Sequence, residues 1–586
     1  MFAVIISWIA ISIVFLSFGD FLISIYNRLC KKNELYGLTD TFLLGMCFTL
    51  IPLSLSSLWL PSNLYILFAY LILSILYWIF RRERFLTLLK NIRSGFKNIL
   101  SLQAIIFAVT IISFIVVILW QVGVFDSLLY HQQNIRWNEE YAIVPGLGNL
   151  EHRFSFNSSY LLLSAVFSFR FLFGEAVYSL HVLVLVYVVC WILKEIISSG
   201  YEIKRLALLL AITGYIFIFG YTLTASSTDL IPNIVTFYLI AKLLLYPDIV
   251  KRQFLLLFFV AVSLVTFKLS IIAVCLISLF IFVYLIKAKD YRTLGLLTTI
   301  SSIVIILWLI RNVILSGYLI FPLYSIDLFD VDWKLPVSVA IEEKDFIYSC
   351  GIRSFGDMIW RLANWQWGIQ PIIDWFTYFI FLGSIAISPF VVLYSFFKKK
   401  YLNKTVYFAY LILVMILLVW YTGGPDPRFI GGILFITLYF NAFLLLSTKE
   451  KKSLGKTGTV TIILFACLMG YWAISRTINF TERFYINIYT EHSRPMANAL
   501  WRQYPYKESL ISAGIFKNEF IPYRLNNGET VYISKSPEIP KGQYVCFESP
   551  FPGTTSRDET TTKYQDISEI ETRGKTLQEG FRPKLK

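Results

Sequence analysis

Long apolar stretches recur along this chain, each broken by a shorter polar segment. A helix that crosses a bilayer needs roughly 17–25 predominantly apolar residues. Stretches of that kind, several of them short, lie at about 3–26, 40–60, 63–81, 101–120, 175–196, 206–224, 231–246, 254–267, 269–287, 293–310, 375–396, 403–421, 429–447 and 457–474. The pattern predicts about fourteen spans. The run 156–172 breaks the alternation if it crosses, so it reads as an amphipathic or re-entrant piece leading into the next helix. From about 475 onward the pattern alternates like short strands, with Asn526-Asn527-Gly528 as a hairpin turn. The expected fold is an all-α polytopic membrane module over 1–474, followed by a small α+β domain over 475–586. The first run, Met1 to Tyr26, has no basic leader and no Ala-x-Ala cleavage site, and reads as a retained helix.

Composition sharpens this picture. Of 586 residues, 57% are hydrophobic and only 15% charged, where soluble proteins carry about 25% charged residues. The mean hydropathy is +0.66. A formal net charge of +15 raises nucleic acid as a partner, but the placement of the charge argues against it. Lys and Arg gather between apolar runs, as at Lys31 and Lys32, Arg81 to Arg84, Lys204 and Arg205, Lys287 to Arg292, Lys398 to Lys404, and Lys449 to Lys456. By the positive-inside rule these segments face the cytoplasm, beside lipid headgroups. Alternating the spans then puts both chain ends outside, together with the loops 121–174 and 311–374 and the tail 475–586. The seven cysteines show no CxxC spacing, so they suggest neither a disulfide framework nor a metal site.

Candidate chemistry collects on that outer side. In the insert 121–155, Asp126 directly follows an apolar run, and two readings stand for it. It is a partly desolvated general base for a hydroxyl, or a helix-terminal residue in the interfacial region. Tyr130 and Trp137 can share its helical face, while Arg136, Glu139 and Glu140 form a charged patch. Adjacent glutamates point apart on a helix, so at most one of Glu139 and Glu140 can join Asp126. His131 reads as a hydrogen-bonding side chain, since the four histidines lack metal-ligand spacing. Pro145, Gly146 and Gly148 form a tight turn without the strand-to-helix context of a phosphate loop. Asn157 to Ser159 are expected to cap the next helix. Asp229 before Pro232 resembles an N-cap, and Lys268 interrupts an apolar run, where a lone Lys must snorkel or meet an anion. Arg311, Asp332, Lys334, Asp426 and Arg428 complete the outer polar set, with prolines stiffening the turn around Asp426. No dinucleotide-binding, P-loop, zinc or Ser–His–Asp signature occurs, which argues against an ATP-driven pump.

A long first outer loop with an acid just after a helix, short outer polar motifs, many spans and a C-terminal domain together resemble the GT-C glycosyltransferases. That superfamily includes protein O-mannosyltransferases and the lipid A aminoarabinose transferase. The motifs DSLLYH, EYAIVPGLGN, RFSFNSS, TDLIP, RNVILSGYLIFP, DWKLP and PDPRF are more closely similar to a bacterial family of large multi-span membrane proteins. That family's C-terminal signature has Cys-Trp-Asp and then Leu-Pro-Cys. Here CFESPFPGT keeps Cys546 and Pro552, with Phe547–Glu548 in place of Trp-Asp and no second Cys. The resemblance implies a multi-pass protein of the bacterial cytoplasmic membrane with an extracytoplasmic active face. It implies transfer of a sugar from a polyprenyl-phosphate carrier to a glycan, lipid or protein acceptor, with no cofactor and no indicated metal. Such a carrier needs fixed cations beside an apolar groove, and Arg153, Lys268, Arg311 and Arg428 stand at the outer borders. The implied set of catalytic and substrate-binding residues is Asp126, Glu139, Glu140, His131, Arg136, Arg153, Asn157, Asp229, Lys268, Arg311, Asp332, Lys334, Asp426 and Arg428. Two other readings are an O-antigen-type polymerase or ligase and a lipid or polysaccharide flippase. The flippase should show internal repeats and mid-membrane charges, and the sequence has neither.

Overall fold

The computed structural model describes residues 1–95, 101–120, 126–364, 367–398, 403–447, 454–488, 500–503, 519–535, 550–555 and 567–584. Several residues of the basic clusters (Lys399, Lys400, Lys449, Lys451, Lys452) and the motif residues Cys546 to Glu548 lie outside them. Among the described residues, ten helices are long and apolar enough to cross a membrane. They are Phe2–Cys30, Leu38–Ser56, Leu102–Leu119, Leu180–Ser198, Leu269–Lys287, Tyr291–Ser316, Asp374–Phe397, Lys404–Gly423, Pro427–Leu446 and Gly455–Asn479. Leu64–Phe80 makes an eleventh if joined to Arg82–Leu88 across a 95° bend. The chain is a multi-pass helical membrane protein.

The expected fourteen spans thus become ten or eleven. Ile203–Ile218 and Leu230–Leu245 have 16 residues each. The segment 254–267 divides into a π turn at Leu256–Val260 and a short helix at Ala261–Leu264. Every residue from Leu230 to Leu244 is buried. A helix enclosed by protein reads as apolar as one facing lipid, yet it need not reach from headgroup to headgroup. The run 156–172 is likewise no span: Ser159–Val166 is a wholly buried eight-residue helix, followed by the single turn Arg170–Phe173.

Polar contacts mark two opposite ends of the bundle. At one end Lys32 pairs with Asp290 at 2.8 Å and Lys242 with Asp40 at 2.6 Å, while Arg205 meets Glu195 at 3.3 Å. Thr405 bonds the Pro247 carbonyl and the Leu454 amide bonds that of Tyr201 there. At the other end lie Asp126, Asp229, Lys268 and Arg428, brought together by the contacts described below, and Arg311, which has its own partners. Helix starts follow local rules: Asp290 accepts from the Thr293 amide and Ser101 from that of Ala104.

The C-terminal strands form as expected. β1 (Glu519–Arg524) and β2 (Thr530–Lys535) pair antiparallel around Gly528, in the register Tyr523 opposite Val531. β3 (Gly553–Thr555) lies parallel to β2, and β4 (Ile570–Thr572) pairs antiparallel with β5 (Phe581–Pro583). The helix that contains the expected final span 457–474 runs from Gly455 to Ile488.

These strands sit on the 126–155 insert. Phe581 packs with Trp137, Val144, Leu147 and Leu150, and its amide bonds the Pro145 carbonyl at 3.0 Å. Gly146 holds φ +63°, and a Cβ there would stand 2.2 Å from the Phe581 carbonyl oxygen. The turn Val144-Pro145-Gly146 is therefore a seat for β5, which is why the insert needs glycine there.

Candidate functional site

Asp126 opens a continuous helical segment that begins with a π turn, Ser127–His131, and continues as Gln132–Glu140. A π turn adds a residue to the repeat and shifts the faces beyond it. Tyr130 stays beside Asp126, whose charge, after burial, pushes the phenol upward. Trp137 turns away, into the seat for the C-terminal strands, 5.0 Å from Phe551 and 6.1 Å from Phe581. The expected shared face of Asp126, Tyr130 and Trp137 is thereby divided.

The Asp126 carboxylate accepts a hydrogen bond from Arg428 Nη1 at 2.7 Å. Arg428 Nε lies 3.6 Å from Asp229, and Asp229 also pairs with Lys268. Both cations stack on one ring, Lys268 at 3.6 Å and Arg428 at 5.2 Å from the Phe429 centroid. Four segments distant in sequence thus meet in a chain of alternating charge: Asp126, Arg428, Asp229, Lys268. Asp426 prepares the turn by accepting from the Arg428 amide at 2.9 Å. Its partner is the backbone of Arg428, since the guanidinium itself goes to Asp126. Asp229 stands at the N-cap position of Leu230–Leu245 but makes no cap bond with its side chain. The cations claim that carboxylate, which corrects the capping expectation.

Burial pushes the Asp126 carboxyl up, but the charges of Arg428, Arg153 and Lys268 outweigh it and hold it below the ordinary carboxylate range. His131 is buried beside the Ser226 carbonyl, and neither ring nitrogen makes a well-formed hydrogen bond. Burial lowers its pKa to about 4 against the pull of Asp126 and Asp229, so the ring is neutral near pH 7. The Asp126 and Arg428 side chains are 27% and 24% exposed, so a ligand can reach the pair.

A second cluster adjoins the first. His152 Nε2 lies 2.9 Å from Glu343 and its Nδ1 3.1 Å from Glu151, while Arg153 Nε is 3.5 Å from Glu343. Glu343 belongs to the amphipathic helix Val337–Ala363, which this cluster ties to the insert. The positive charge of Arg153 reaches Asp126. Glu151, His152 and Glu343 were absent from the sequence-derived set. The signal for Glu151 and His152 was the Glu151-His152-Arg153 triplet in an otherwise uncharged turn; Glu343 had none. Replacing Glu343 with Ala leaves Arg153 facing a buried void, and breaking such a pair typically costs about 3–5 kcal/mol. A clear fall in the thermal midpoint in detergent is expected, against no change for Asp345→Ala on the exposed side. Burial raises the Glu343 carboxyl, yet His152 and Arg153 bring it below its ordinary value. Its stabilisation is therefore complete above the usual carboxylate pKa and is lost as pH falls through the lowered one.

Other expected members lie elsewhere. Glu139 is buried against Arg170 at 2.8 Å, and Glu140 lies 3.6 Å from Arg136 on the outer side of the helix, so neither joins Asp126. Arg311 is buried and bonds Ser57, Asn138 at 2.8 Å and Asn157 at 3.2 Å. It knits helix ends through neutral acceptors and is no free phosphate binder. Asn157 serves Arg311 and the Trp308 indole, and Ser158 makes no side-chain cap bond, which corrects the capping assigned to them. Asp332 pairs with Arg573 at 2.8 Å and so fastens the C-terminal strands, while Lys334 pairs with Asp327. Among the described residues, no group of three or more His, Cys, Asp or Glu is placed to hold a metal ion.

A family model described as a domain of unknown function (DUF8201) matches residues 1–436. No curated protein and no solved structure matches the chain.

Proposed function

The chain belongs to the DUF8201 family, and from that premise we propose that it is a GT-C-like membrane glycosyltransferase. It takes a sugar from a polyprenyl-phosphate carrier and gives it to a glycan, lipid or protein acceptor. The protein resides in the bacterial cytoplasmic membrane with this site on the extracytoplasmic face. One observation carries the reading: a partly exposed carboxylate, Asp126, and two cations, Arg428 and Lys268, converge at one end of a multi-pass bundle. Transfer from a lipid-borne sugar phosphate needs both kinds of group at headgroup depth. The acceptor hydroxyl loses its proton to Asp126 and bonds the anomeric carbon. The bond from that carbon to the phosphate oxygen breaks, and the phosphate leaves with the electron pair, its charge met by Arg428 and Lys268.

The resting ion pair suggests an order of events. While Arg428 holds Asp126, the carboxylate is a weak base. A phosphate that draws Arg428 toward itself releases Asp126 for the acceptor. Donor binding then precedes acceptor activation.

Native mass spectrometry of the protein purified with its lipids tests the reading. The expected spectrum carries a polyprenyl-phosphate-sugar adduct that disappears in Arg428→Gln. A lipid adduct without phosphate, or none, contradicts it. The orientation has its own test in intact cells. Cysteines at the exposed positions Glu140 and Lys575 should label from outside, and one at the exposed Lys289 should not; the reverse pattern overturns the assigned face.

A further inference from the structure

Where the insert meets the C-terminal strands, a cavity of about 500 Å³ opens to the surface. Arg136, Glu140 and Tyr141 line it from the insert, and Glu529, Tyr532 and Phe551 from the C-terminal side. Its aromatic wall is braced from behind. Trp137 lies 5.1 Å from the Tyr141 ring and 5.0 Å from that of Phe551, and is itself buried. Arg136 stacks 4.8 Å from the Phe551 centroid, with its Nε 3.6 Å from Glu140. Donor and acceptor groups thus stand side by side next to the aromatic rings of Tyr141, Tyr532 and Phe551.

We infer that this cavity is a saccharide subsite, holding units of an acceptor glycan beyond the one that reacts. A pyranose ring offers an apolar C–H face on one side and hydroxyls around its edge. The first suits the Phe551 and Tyr141 rings. Neighbouring hydroxyls suit planar carboxylate and guanidinium groups, which accept or donate two bonds at once. Charge narrows the class further. Among the described lining residues two carboxylates face one guanidinium, a balance that repels a phosphate or nucleotide and not a neutral polyhydroxyl ligand. Position gives the cavity its purpose. Arg136 stands ten residues beyond Asp126 on the same helical segment, on the order of 15 Å at the usual rise per residue. A chain reacting at Asp126 can lie along that segment and fill the cavity with its next units. This purpose rests on the glycosyl-transfer reading, but sugar binding in the cavity does not.

The test is a binding measurement on the full-length protein in detergent. The probes are end-labelled hexose and N-acetylhexosamine oligosaccharides of one to six units, followed by fluorescence polarisation. Saturable binding that tightens with chain length is expected, weakened at least tenfold by Tyr532→Ala and several-fold by Glu529→Gln. Glu529 is exposed, so its variant keeps the test independent of strand folding. Asp345→Ala, on an exposed position outside the cavity, should bind as the wild type does. No binding to any probe, binding untouched by both cavity variants, or preference for a lysine-rich peptide overturns the inference. Binding without sugar transfer from a polyprenyl-phosphate donor leaves the subsite standing and removes the transferase reading. Transfer without oligosaccharide binding does the reverse.

Discussion

Asp126→Asn is expected to cut turnover about 10²–10⁴-fold, the range typical of a lost general base, while insertion and donor binding persist. Asn keeps the size of the side chain and one oxygen to accept the bond from Arg428, now as a neutral hydrogen bond. Arg428 retains Asp229 at 3.6 Å, so the cation keeps an anionic neighbour. The substitution therefore removes proton affinity with little change to the surroundings. Turnover of a purified, lipid-reconstituted variant, compared with its thermal midpoint, separates the roles. A helix-end residue gives a nearly silent variant. Retention of more than about a tenth of wild-type turnover falls below the low end of that range and removes Asp126 as base. Asp229 would then be the remaining carboxylate of the site, because Glu139 is committed to Arg170 and Glu140 lies beside Arg136.

Arg428→Gln is expected to weaken donor binding by more than about tenfold, since a hydrogen bond to a charged group contributes roughly 1.5–3 kcal/mol. It also has a signature in pH that simple loss of contact lacks. In the wild type, burial raises the Asp126 carboxyl and the surrounding cations more than offset this. Asp126 is thus ionised throughout the neutral range, and kcat/KM shows no acid limb from it above the ordinary carboxylate pKa of about 3.9. Removing Arg428 deletes the largest lowering charge and leaves burial less opposed. The carboxyl moves up, and activity falls as pH drops through that raised value. An acid limb that climbs in Arg428→Gln is the expected profile of residual kcat/KM. An unchanged profile with unchanged donor affinity takes Arg428 out of the site.

The helical membrane architecture was legible because long apolar stretches and intervening Lys and Arg are local features of the chain. The number of spans was not, since Leu230–Leu245 is as apolar as a lipid-facing helix yet is buried from Leu230 to Leu244. Asp126, Asp229, Lys268 and Arg428 were each conspicuous as charges at apolar borders. Their pairing was not, because Arg428 and Asp126 are separated by 302 positions and meet only through the fold. Arg311 was misread for a related reason. A cation at a border is visible in sequence, whereas the ring of neutral acceptors from Ser57, Asn138 and Asn157 is not. Glu343 sits in Ile341-Glu342-Glu343-Lys344-Asp345, where nothing local distinguishes the one buried acid from its neighbours. Asp332 looked like a substrate ligand until its partners Arg573 and Arg582 came from the far end of the chain.

The central claim is that Arg428 and Lys268 receive the phosphate of a lipid carrier, and one comparison addresses it without any sugar or acceptor. Polyprenyl phosphate and polyprenol of the same chain length are titrated against the wild-type protein in detergent. The two probes share the tail and differ only in the anionic head. The account predicts saturable binding of polyprenyl phosphate at least tenfold tighter than that of polyprenol, a preference that disappears in Arg428→Gln. Equal affinity for the two lipids contradicts it.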